Sequence, residues 1–460
     1  RSSFLPLWNR QPCRSNLRPP SKGISKFMKI LVKTLLATVI LLLAALPLCL
    51  GFALDYAFKQ AVNSLGLSDT HFERGYLSSR AQITLKPLLE GTPQPLSLDI
   101  QLQHGPLLLA PSLQLGVLGF TAEVKSTAAT PQLNVANINE PIYRLQGLID
   151  LKGGGTFTDA YTAASLVLNN GQIQWSRGEG AGQLNLNLKR LTYEGRLSQL
   201  SWQAPNTLLN LGVPVISKEI TLTPAGLNWL SRITFKALNA QWNAETFWLK
   251  NGALGLSRAP VPDAHTEHLQ LSLVAEDFKT PSLQLTVLDA NFALNHLPTA
   301  WLQDLLTLNT IPLDEASYSQ QAYALTQKHL INSQAEFMVD RLGALQAGKA
   351  FWFSGRADLA AAAALPQHTW QDPLSLLPQL AGAGEIHLEK GLLTEWVSSY
   401  IAAQNPGSAA QTLPPAQIEL FAQAFVGQGM LSDEGAMYAC KVVFKPGEVM
   451  LNGKPLALPF

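Results

Sequence analysis

Charged residues are scarce in this sequence. They make up 14% of its 460 residues, whereas about 25% is typical of globular proteins. A long β-sheet with one leucine-covered face would account for the shortage. The 33 basic and 32 acidic residues nearly balance, but eight of the basic residues and none of the acidic ones fall in residues 1–33. The rest of the chain is therefore acidic, which argues against a nucleic-acid partner.

Cysteine is also rare, and the chain contains only Cys13, Cys49 and Cys440. Only Cys440 follows the long apolar run described below, so no disulfide can form within that part of the chain. We expect Cys440 to be a small buried side chain in a strand.

The motifs of common catalytic sites are missing: the sequence contains no G-x-S-x-G, H-E-x-x-H or C-x-x-C. Residues 343–350 come close to a phosphate-binding loop. However, Ala350 stands where that loop needs a hydroxyl for Mg²⁺, and a strand-like segment follows instead of a helix. The segment is more typical of a β-hairpin, and we predict no nucleotide and no other cofactor.

Residues 263–268 contain four side chains that can bind metal ions, namely Asp263, His265, Glu267 and His268. They follow two prolines, and no distant His or Cys completes a zinc-binding pattern. Solvated polar residues at the start of a strand are the simpler interpretation. We therefore predict no metal site.

Three further polar residues lie in positions that a functional site could use. His104 precedes Gly-Pro and could act as a base, or it could bond a turn carbonyl. Glu73 and Arg74 could bind a ligand, or they could form a surface ion pair of about 0–1 kcal/mol. We assign no catalytic or cofactor-binding residue. Tryptophans recur along the chain and either line an apolar groove or pack in a core; examples are Trp175, Trp202, Trp229, Trp242 and Trp248.

Residues 34–54 form an apolar run of 21 residues without a charge. As a helix it would be about 31 Å long, enough to cross a hydrocarbon core of roughly 30 Å. The basic residues of 1–33 predict that this flank stays in the cytoplasm and that Asp55 onward lies on the far side of the membrane. A cleaved signal peptide is the alternative, but its apolar part is about 7–15 residues long. Met28 resembles a natural start, so residues 1–27 are left out of the fold prediction.

Beyond the apolar run, four segments alternate strictly between apolar and polar residues. They are residues 96–103, 184–189, 269–273 and 283–287. Such alternation is typical of antiparallel strands with one face in water. Glycine-containing turns separate the segments, so residues 72–297 read as a β-meander.

The pattern changes around residue 298. Residues 299–308, 315–330, 392–402 and 418–426 are typical of helices, and residues 336–339, 350–359, 385–389, 437–444 and 448–451 of strands. We predict a mainly β fold with an α+β C-terminal region, in which one transmembrane helix precedes a long antiparallel sheet that is open or half-rolled. The expected parts are a basic cytoplasmic leader (1–33), a transmembrane helix (34–54), a membrane-proximal helix (55–66), the β-meander domain (72–297) and the α+β region (298–460).

Three segments resemble one known family. They are Phe72-Glu73-Arg74-Gly75-Tyr76-Leu77-Ser78-Ser79, His104-Gly105-Pro106-Leu107, and Gly447-Glu448-Val449-Met450-Leu451-Asn452-Gly453-Lys454-Pro455-Leu456. Their order and spacing are similar to those of the YdgA-like family of bacterial envelope proteins, from about Met28 to the end. Family members usually have Trp-Phe where this chain has Tyr76-Leu77. The resemblance implies a single-pass inner-membrane protein with a large periplasmic domain, and it implies no reaction. The strand-rich build is also similar to groove-forming AsmA-like envelope proteins linked to phospholipid traffic.

The sequence leaves two functional hypotheses. The first is a non-enzymatic structural or interaction protein of the envelope, which we expect to lie in the inner membrane and to self-associate. The second is a carrier that binds a phospholipid or another amphiphile in a leucine-lined β-groove.

Overall fold

The computed structural model describes most of the chain after residue 69 and a short helical part before it. The described residues are 47, 49–60, 62, 70–85, 88–89, 92–108, 114–127, 132–135, 139–168, 171–185, 189–243, 245–262, 265–281, 283–308, 315–330, 333–358, 381–404, 414–445 and 448–456.

The predicted membrane-spanning segment, residues 34–54, lies mostly outside the described residues. Residues 49–60 are helical, and they include the first part of the predicted membrane-proximal helix. The predicted end of that helix near Gly66 lies outside the described residues. Among the helices that the structure describes, none is long and apolar enough to cross a bilayer.

The structure assigns 29 strands within the described residues. The first fourteen are β1 (Thr70–Arg74), β2 (Ser78–Leu85), β3 (Leu88–Leu89), β4 (Thr92–Pro93), β5 (Leu96–His104), β6 (Leu107–Leu108), β7 (Gln114–Leu115), β8 (Leu118–Ser126), β9 (Leu133–Val135), β10 (Tyr143–Ile149), β11 (Gly155–Tyr161), β12 (Ala164–Leu168), β13 (Gly171–Trp175) and β14 (Gly178–Leu184). The others are β15 (Arg190–Leu197), β16 (Gln199–Ala204), β17 (Thr207–Gly212), β18 (Val215–Thr223), β19 (Gly226–Trp242), β20 (Glu245–Val261), β21 (Thr266–Lys279), β22 (Gln284–Pro298), β23 (Glu336–Gln346), β24 (Lys349–Asp358), β25 (Ala381–Glu389), β26 (Ser432–Asp433), β27 (Met437–Lys445), β28 (Glu448–Leu451) and β29 (Lys454–Leu456). Four helices follow the long strands: α1 (Thr299–Leu308), α2 (Glu315–Leu330), α3 (Lys390–Gln404) and α4 (Pro415–Gly427).

Except for the short pairs β3–β4 and β6–β7, the strands form one antiparallel sheet. Its main order is β1-β2-β5-β8-β10-β11-β14-β15-β18-β19-β20-β21-β22-β23-β24-β25-β27-β28-β29. A second row, β9-β12-β13-β16-β17, joins the second half of β19. The sheet continues past residue 298, because β22 pairs with β23. It stays open over the described residues, since β1 and β29 do not pair.

Many strands bend where they cross a common line, which we call the crease. It passes between β11 and β12, β13 and β14, β15 and β16, and β17 and β18. It then runs through Lys236, Asn251, Glu276 and Val287, where the strand pairing is interrupted. Asn251 and Val287 have positive φ angles of 45° and 52°, a backbone conformation that locally bends a strand. The register is the same on both sides of the crease. The pairs β11–β14 and β12–β13 therefore form one long hairpin that folds across the crease, and so do the pairs β14–β15 and β13–β16.

The crease changes which residues of a strand face the core. Phe235 and Leu238 are three residues apart but pack in the same apolar cluster, and so do Ala275 and Phe278. In an uninterrupted strand, residues three apart point to opposite faces. Both sides of the crease contribute to this cluster, whose members are Leu211, Phe235, Leu249 and Ala275 with Leu200, Ile233, Leu238, Phe278 and Leu288. We call the face that carries it the inner face and the opposite one the outer face.

Helices α1 and α2 cover the inner face at the ends of β21 and β22. Leu297, which is 1% exposed, packs with Trp301 of α1 and Leu330 of α2 in a second apolar cluster. Leu269 and Leu294 of the sheet pack against this cluster.

Helices α3 and α4 cover the inner face of β24, β25 and β27. The Phe351 ring of β24 meets the Trp396 ring of α3 edge-on, with centroids 5.2 Å apart. Tyr438 of β27 is 2% exposed and donates a hydrogen bond of 2.7 Å to Glu419 of α4. The Lys390 ammonium lies over the Tyr438 ring.

Several inner-face glycines make room for aromatic rings that lie over them. A Cβ at Gly182 would come within 2.1 Å of the Phe157 ring, and a Cβ at Gly252 within 2.4 Å of the Phe235 ring. A side chain at such a position would displace the ring, so glycine is needed although it weakens a strand.

Two sequence predictions fail at identifiable residues. The strand predicted at 184–189 stops at its first residue: β14 ends at Leu184, and the Asn185 carboxamide oxygen accepts the backbone N–H groups of Lys189 and Arg190 at 2.9 and 2.8 Å. An asparagine that bonds its local backbone in this way favours a turn. Within 283–287, Leu285 is buried but Val287 is 62% exposed, because Val287 lies on the crease.

Candidate functional site

The inner face is only partly covered between helices α1 and α2 and the apolar cluster at the crease, which contains Phe235 and Leu249. Five apolar side chains adjoin one another there, and we call them the apolar strip: Leu254, Leu256, Leu271, Phe292 and Phe337. Leu256 pairs with Leu271, which pairs with Phe292. The Phe292 and Phe337 rings stack with centroids 6.2 Å apart.

Four members of the strip are substantially exposed to solvent. Leu254 is 40% exposed, Leu256 and Leu271 are 41% exposed, and Phe337 is 37% exposed. If each side chain offers about 150–200 Å² when free, together they expose about 250–300 Å² of apolar surface. The strip is therefore an open apolar surface, large enough for one extended hydrocarbon chain.

The outer face, in contrast, carries pockets whose linings combine polar and apolar side chains. A pocket of about 770 Å³ lies across the first strands. Arg80, Gln101, Thr121, Gln146 and Thr158 line it from successive paired strands. In place of the leucine-lined groove of the carrier hypothesis, the inner face has an exposed strip, and this pocket opens on the outer face.

The helical residues 49–60 pack at the ends of β1 and β5. A Cβ at Gly51 would lie 3.2 Å from the His104 ring, and the Arg74 guanidinium lies 3.8 Å from the centre of the Phe52 ring. His104 is 1% exposed. Burial lowers the pKa of His104, and the neighbouring backbone of Tyr76 and Pro47 opposes that shift. His104 therefore belongs to a packed contact between helix and sheet.

A polar cluster interrupts the apolar inner face of β10, β11 and β15. The Tyr193 hydroxyl donates to the Asp159 carboxylate at 3.1 Å and lies 3.1 Å from the Tyr161 hydroxyl. Burial raises the pKa of Tyr193 to about 12 and raises the pKa values of Tyr143 and Tyr161 as well. Because the three phenols stay neutral, they can satisfy the buried Asp159 carboxylate by hydrogen bonding.

The segment that resembles a phosphate-binding loop is a β-hairpin, as predicted. Gln346 pairs with Lys349, and the turn residues Ala347 and Gly348 both have positive φ. Such a two-residue turn matches the twist of the flanking strands. The Lys349 ammonium bonds the Glu395 carboxylate of α3.

The residues considered as metal ligands have other partners. Glu267 is 1% exposed and forms a two-pronged ion pair with Arg258. His268 bonds the Asn295 side chain. His265 is exposed, and Asp263 lies outside the described residues. Over the part of the chain that the structure describes, no three His, Cys, Asp or Glu residues are arranged to hold a metal ion.

Of the two alternatives for Glu73 and Arg74, the ion pair between them does not form. The Glu73 carboxylate lies 3.1 Å from His71, and Arg74 instead contacts the Phe52 ring. Cys440 is 8% exposed in β27, so the prediction of a buried strand residue is confirmed. Burial also raises the pKa of its thiol.

Phe292 and Phe337 of the strip and the pairing of Arg258 with Glu267 were not predicted from the sequence. A signal for Phe292 was present, because Leu288, Ala290, Phe292 and Leu294 alternate with polar residues except at Ala293. No comparable signal exists for Phe337, whose place depends on the pairing of β22 with β23.

Comparison with known proteins identifies the family to which the chain belongs. No curated protein and no solved structure matches the chain significantly. A model of the family described as "Bacterial protein of unknown function (DUF945)" matches residues 28–459. This range includes the whole sheet, the four helices and the apolar strip. The chain therefore belongs to this bacterial family of unknown function, DUF945.

Proposed function

We propose that this protein is a non-enzymatic protein of the bacterial cell envelope. Residues 34–54 anchor it in the inner membrane, and residues 55–460 lie in the periplasm. The length of the uncharged run and the basic flank of residues 1–33 support this arrangement. The resemblance of residues 72–79, 104–107 and 447–456 to the YdgA-like family supports the same location.

On this proposal the protein acts by binding, and the apolar strip holds the acyl chain of a phospholipid or another amphiphile. The observation that carries the proposal is the 37–41% exposure of Leu254, Leu256, Leu271 and Phe337. Their exposed area of about 250–300 Å² is far below the roughly 800 Å² that each partner buries in a stable protein complex. At about 25 cal/mol per Å², its burial contributes at most about 6–8 kcal/mol before the costs of association. That amount suits one hydrocarbon chain better than a second protein surface.

The polar groups considered as ligands of a metal ion or a phosphate have other partners, which supports a binding role for the apolar strip. Glu267 is engaged by Arg258, Lys349 by Glu395, and His268 by Asn295. Each of these groups has a structural partner, so none is positioned as an unengaged acid, base or nucleophile.

Photo-crosslinking in living cells tests the occupant of the strip. A photoreactive residue at Leu256 or Leu271 should form adducts with lipid. The matched controls are Ser257 and Gln270, which pair with each other on the outer face of the same strands, and they should form none. Crosslinks to a second copy of the chain would replace the lipid proposal by self-association. Equal labelling at all four positions would show that the strip is not a binding site.

A second experiment tests the topology. A reporter that is active only in the periplasm, fused after Phe460, should be active, and the protein should remain in the membrane fraction after alkaline washing. A protein released by that washing would contradict the membrane anchor.

A further inference from the structure

Three basic side chains surround a pocket on the outer face next to the crease. The pocket has a volume of about 590 Å³, and Arg196, Arg232 and Lys236 line it. No acidic side chain lines it. Within the described part of the chain, none of the three cations forms an ion pair.

Strand register explains why these three residues meet. Arg232, Thr234 and Lys236 alternate along β19, so neighbours in this series are about 7 Å apart and point to the outer face. Val215 of β18 pairs with both Thr234 and Arg196, which brings β15 to the same place. Val215 and Thr234 are short side chains between three long ones. They form the floor of the pocket, and the cations form its rim.

The charges of this rim suit an anion. Three positive charges close together repel one another, and the neighbouring carboxylates of Glu179, opposite Arg196, and of Glu276, bonded to Asn251, lie outside the lining. An arginine guanidinium matches two phosphate oxygens at once, and a lysine ammonium adds a point charge. The alternative to anion binding is that water alone solvates the three side chains.

The floor of the pocket indicates a ligand that is larger than inorganic phosphate and partly apolar. Val213, Val215, Ala253 and Val274 also line the pocket, and Val274 is 42% exposed. A volume of about 590 Å³ lies in the range of small-molecule sites, roughly 300–1,000 Å³. The apolar floor can therefore hold the organic part of a ligand whose charge lies at the rim.

We infer that the pocket formed by Arg196, Arg232 and Lys236 binds the phosphate group of a phosphate ester. The ester is either the headgroup of an anionic lipid or a soluble metabolite, since both offer the same chemistry. The pocket lies on the face opposite the apolar strip, so this inference does not depend on the proposed function.

The test uses the full chain in detergent, with glycerol 3-phosphate as the soluble probe. Acylation of lysines is followed by mass spectrometry, because a bound anion shields an amine from the reagent. Lys236 should be protected in a saturable manner. Lys218 is the internal control, since it is exposed on β18 but belongs to the inner face. The variant Arg232→Gln should weaken protection of Lys236 about tenfold or more, and Lys218→Gln should leave it unchanged.

A second arm identifies the source of the phosphate ester. The full chain is reconstituted in vesicles of phosphatidylcholine alone or with about one fifth phosphatidylglycerol. Protection of Lys236 only with phosphatidylglycerol assigns the site to a lipid headgroup, and protection by glycerol 3-phosphate in detergent assigns it to soluble esters as well. If neither probe protects Lys236, or if Lys218 is protected equally, the inference is wrong. Equal melting temperatures of the variants exclude unfolding as the cause of lost protection.

Discussion

Replacing Arg258 by methionine should destabilise the folded chain by about 3–5 kcal/mol, because it leaves a buried carboxylate without its cation. Glu267 is 1% exposed. Arg258 Nη2 donates to one carboxylate oxygen of Glu267 at 2.5 Å, and Arg258 Nε donates to the other. Leu297 and Pro260 pair with Glu267 on the neighbouring strands. Leu297 is also only 1% exposed, so little water can reach the carboxylate once the arginine is gone.

The partner variant should cost less. In Glu267→Leu the unpaired group is the Arg258 side chain, which is 25% exposed and can turn toward water. We expect a loss of about 1–3 kcal/mol. The double variant Arg258→Met/Glu267→Leu contains no buried charge and should lie close to the wild type. The coupling energy of the two sites should therefore reach about 3 kcal/mol or more.

Urea unfolding of the full chain in detergent, followed by tryptophan fluorescence, measures these differences. Arg190→Met is the matched control, because Arg190 pairs with Glu219 at 2.9 Å while the two side chains are 53% and 40% exposed. A pair so exposed contributes about 0–1 kcal/mol. If Arg258→Met costs no more than Arg190→Met, the Arg258–Glu267 pair is screened by solvent and the reasoning from burial is wrong.

Three more predictions concern the inner face. Ile100→Asp should destabilise the chain by several kcal/mol because it turns a charge toward the apolar face, whereas Gln101→Asp should change the free energy of unfolding by about 0.5 kcal/mol or less; equal effects in chemical denaturation would contradict the assigned faces. Gly182→Ala should cost about 1–3 kcal/mol by displacing the ring that lies over it, while Gly212→Ala, whose Cβ would meet its nearest atom at 3.6 Å, serves as the control in the same assay. Burial holds the pKa of His104 below 6.5 in the folded chain, so the unfolded chain binds more protons and stability should fall as the pH drops below about 6.5; melting temperatures between pH 7.5 and 5.5 should fall less steeply for His104→Gln, and parallel curves would remove His104 as the cause.

Much of the secondary structure follows from local sequence patterns. The predicted helices 299–308 and 315–330 have the same bounds in the structure, and the alternating segment 96–103 lies within β5. Alternation identifies a strand because successive side chains point to opposite faces of any sheet, whatever the strand pairs with. The same rule correctly indicated a mainly β fold with antiparallel strands, whereas the continuation of the sheet past residue 298 was not predicted.

Local patterns do not predict where a strand ends or where its alternation shifts from one face to the other. Residues 184–189 alternate as well as any strand in the chain, but β14 ends at Leu184, and the Asn185 side chain accepts the backbone N–H groups of Lys189 and Arg190. At the crease, Phe235 and Leu238 reach the same cluster although simple alternation would separate them. One residue with positive φ, such as Asn251, is enough to shift the alternation, and a count of apolar and polar residues does not register it.

The sequence by itself determined that the chain is a mainly β protein with alternating strands, an uncharged run at residues 34–54 and helices after residue 298. Only the tertiary structure decided which parts of the apolar face are covered. Leu269 and Leu294 pack against the cluster formed with helices α1 and α2, while Leu271, two residues along β21, and its pair Leu256 stay exposed. The tertiary structure also brings Arg196 close to Arg232 and Lys236, through the pairing of β15 with β18 and of β18 with β19. Alternation follows from the backbone geometry of each residue. Which apolar side chains are covered, and which distant side chains lie together, depends on which strands pair and where the sheet bends.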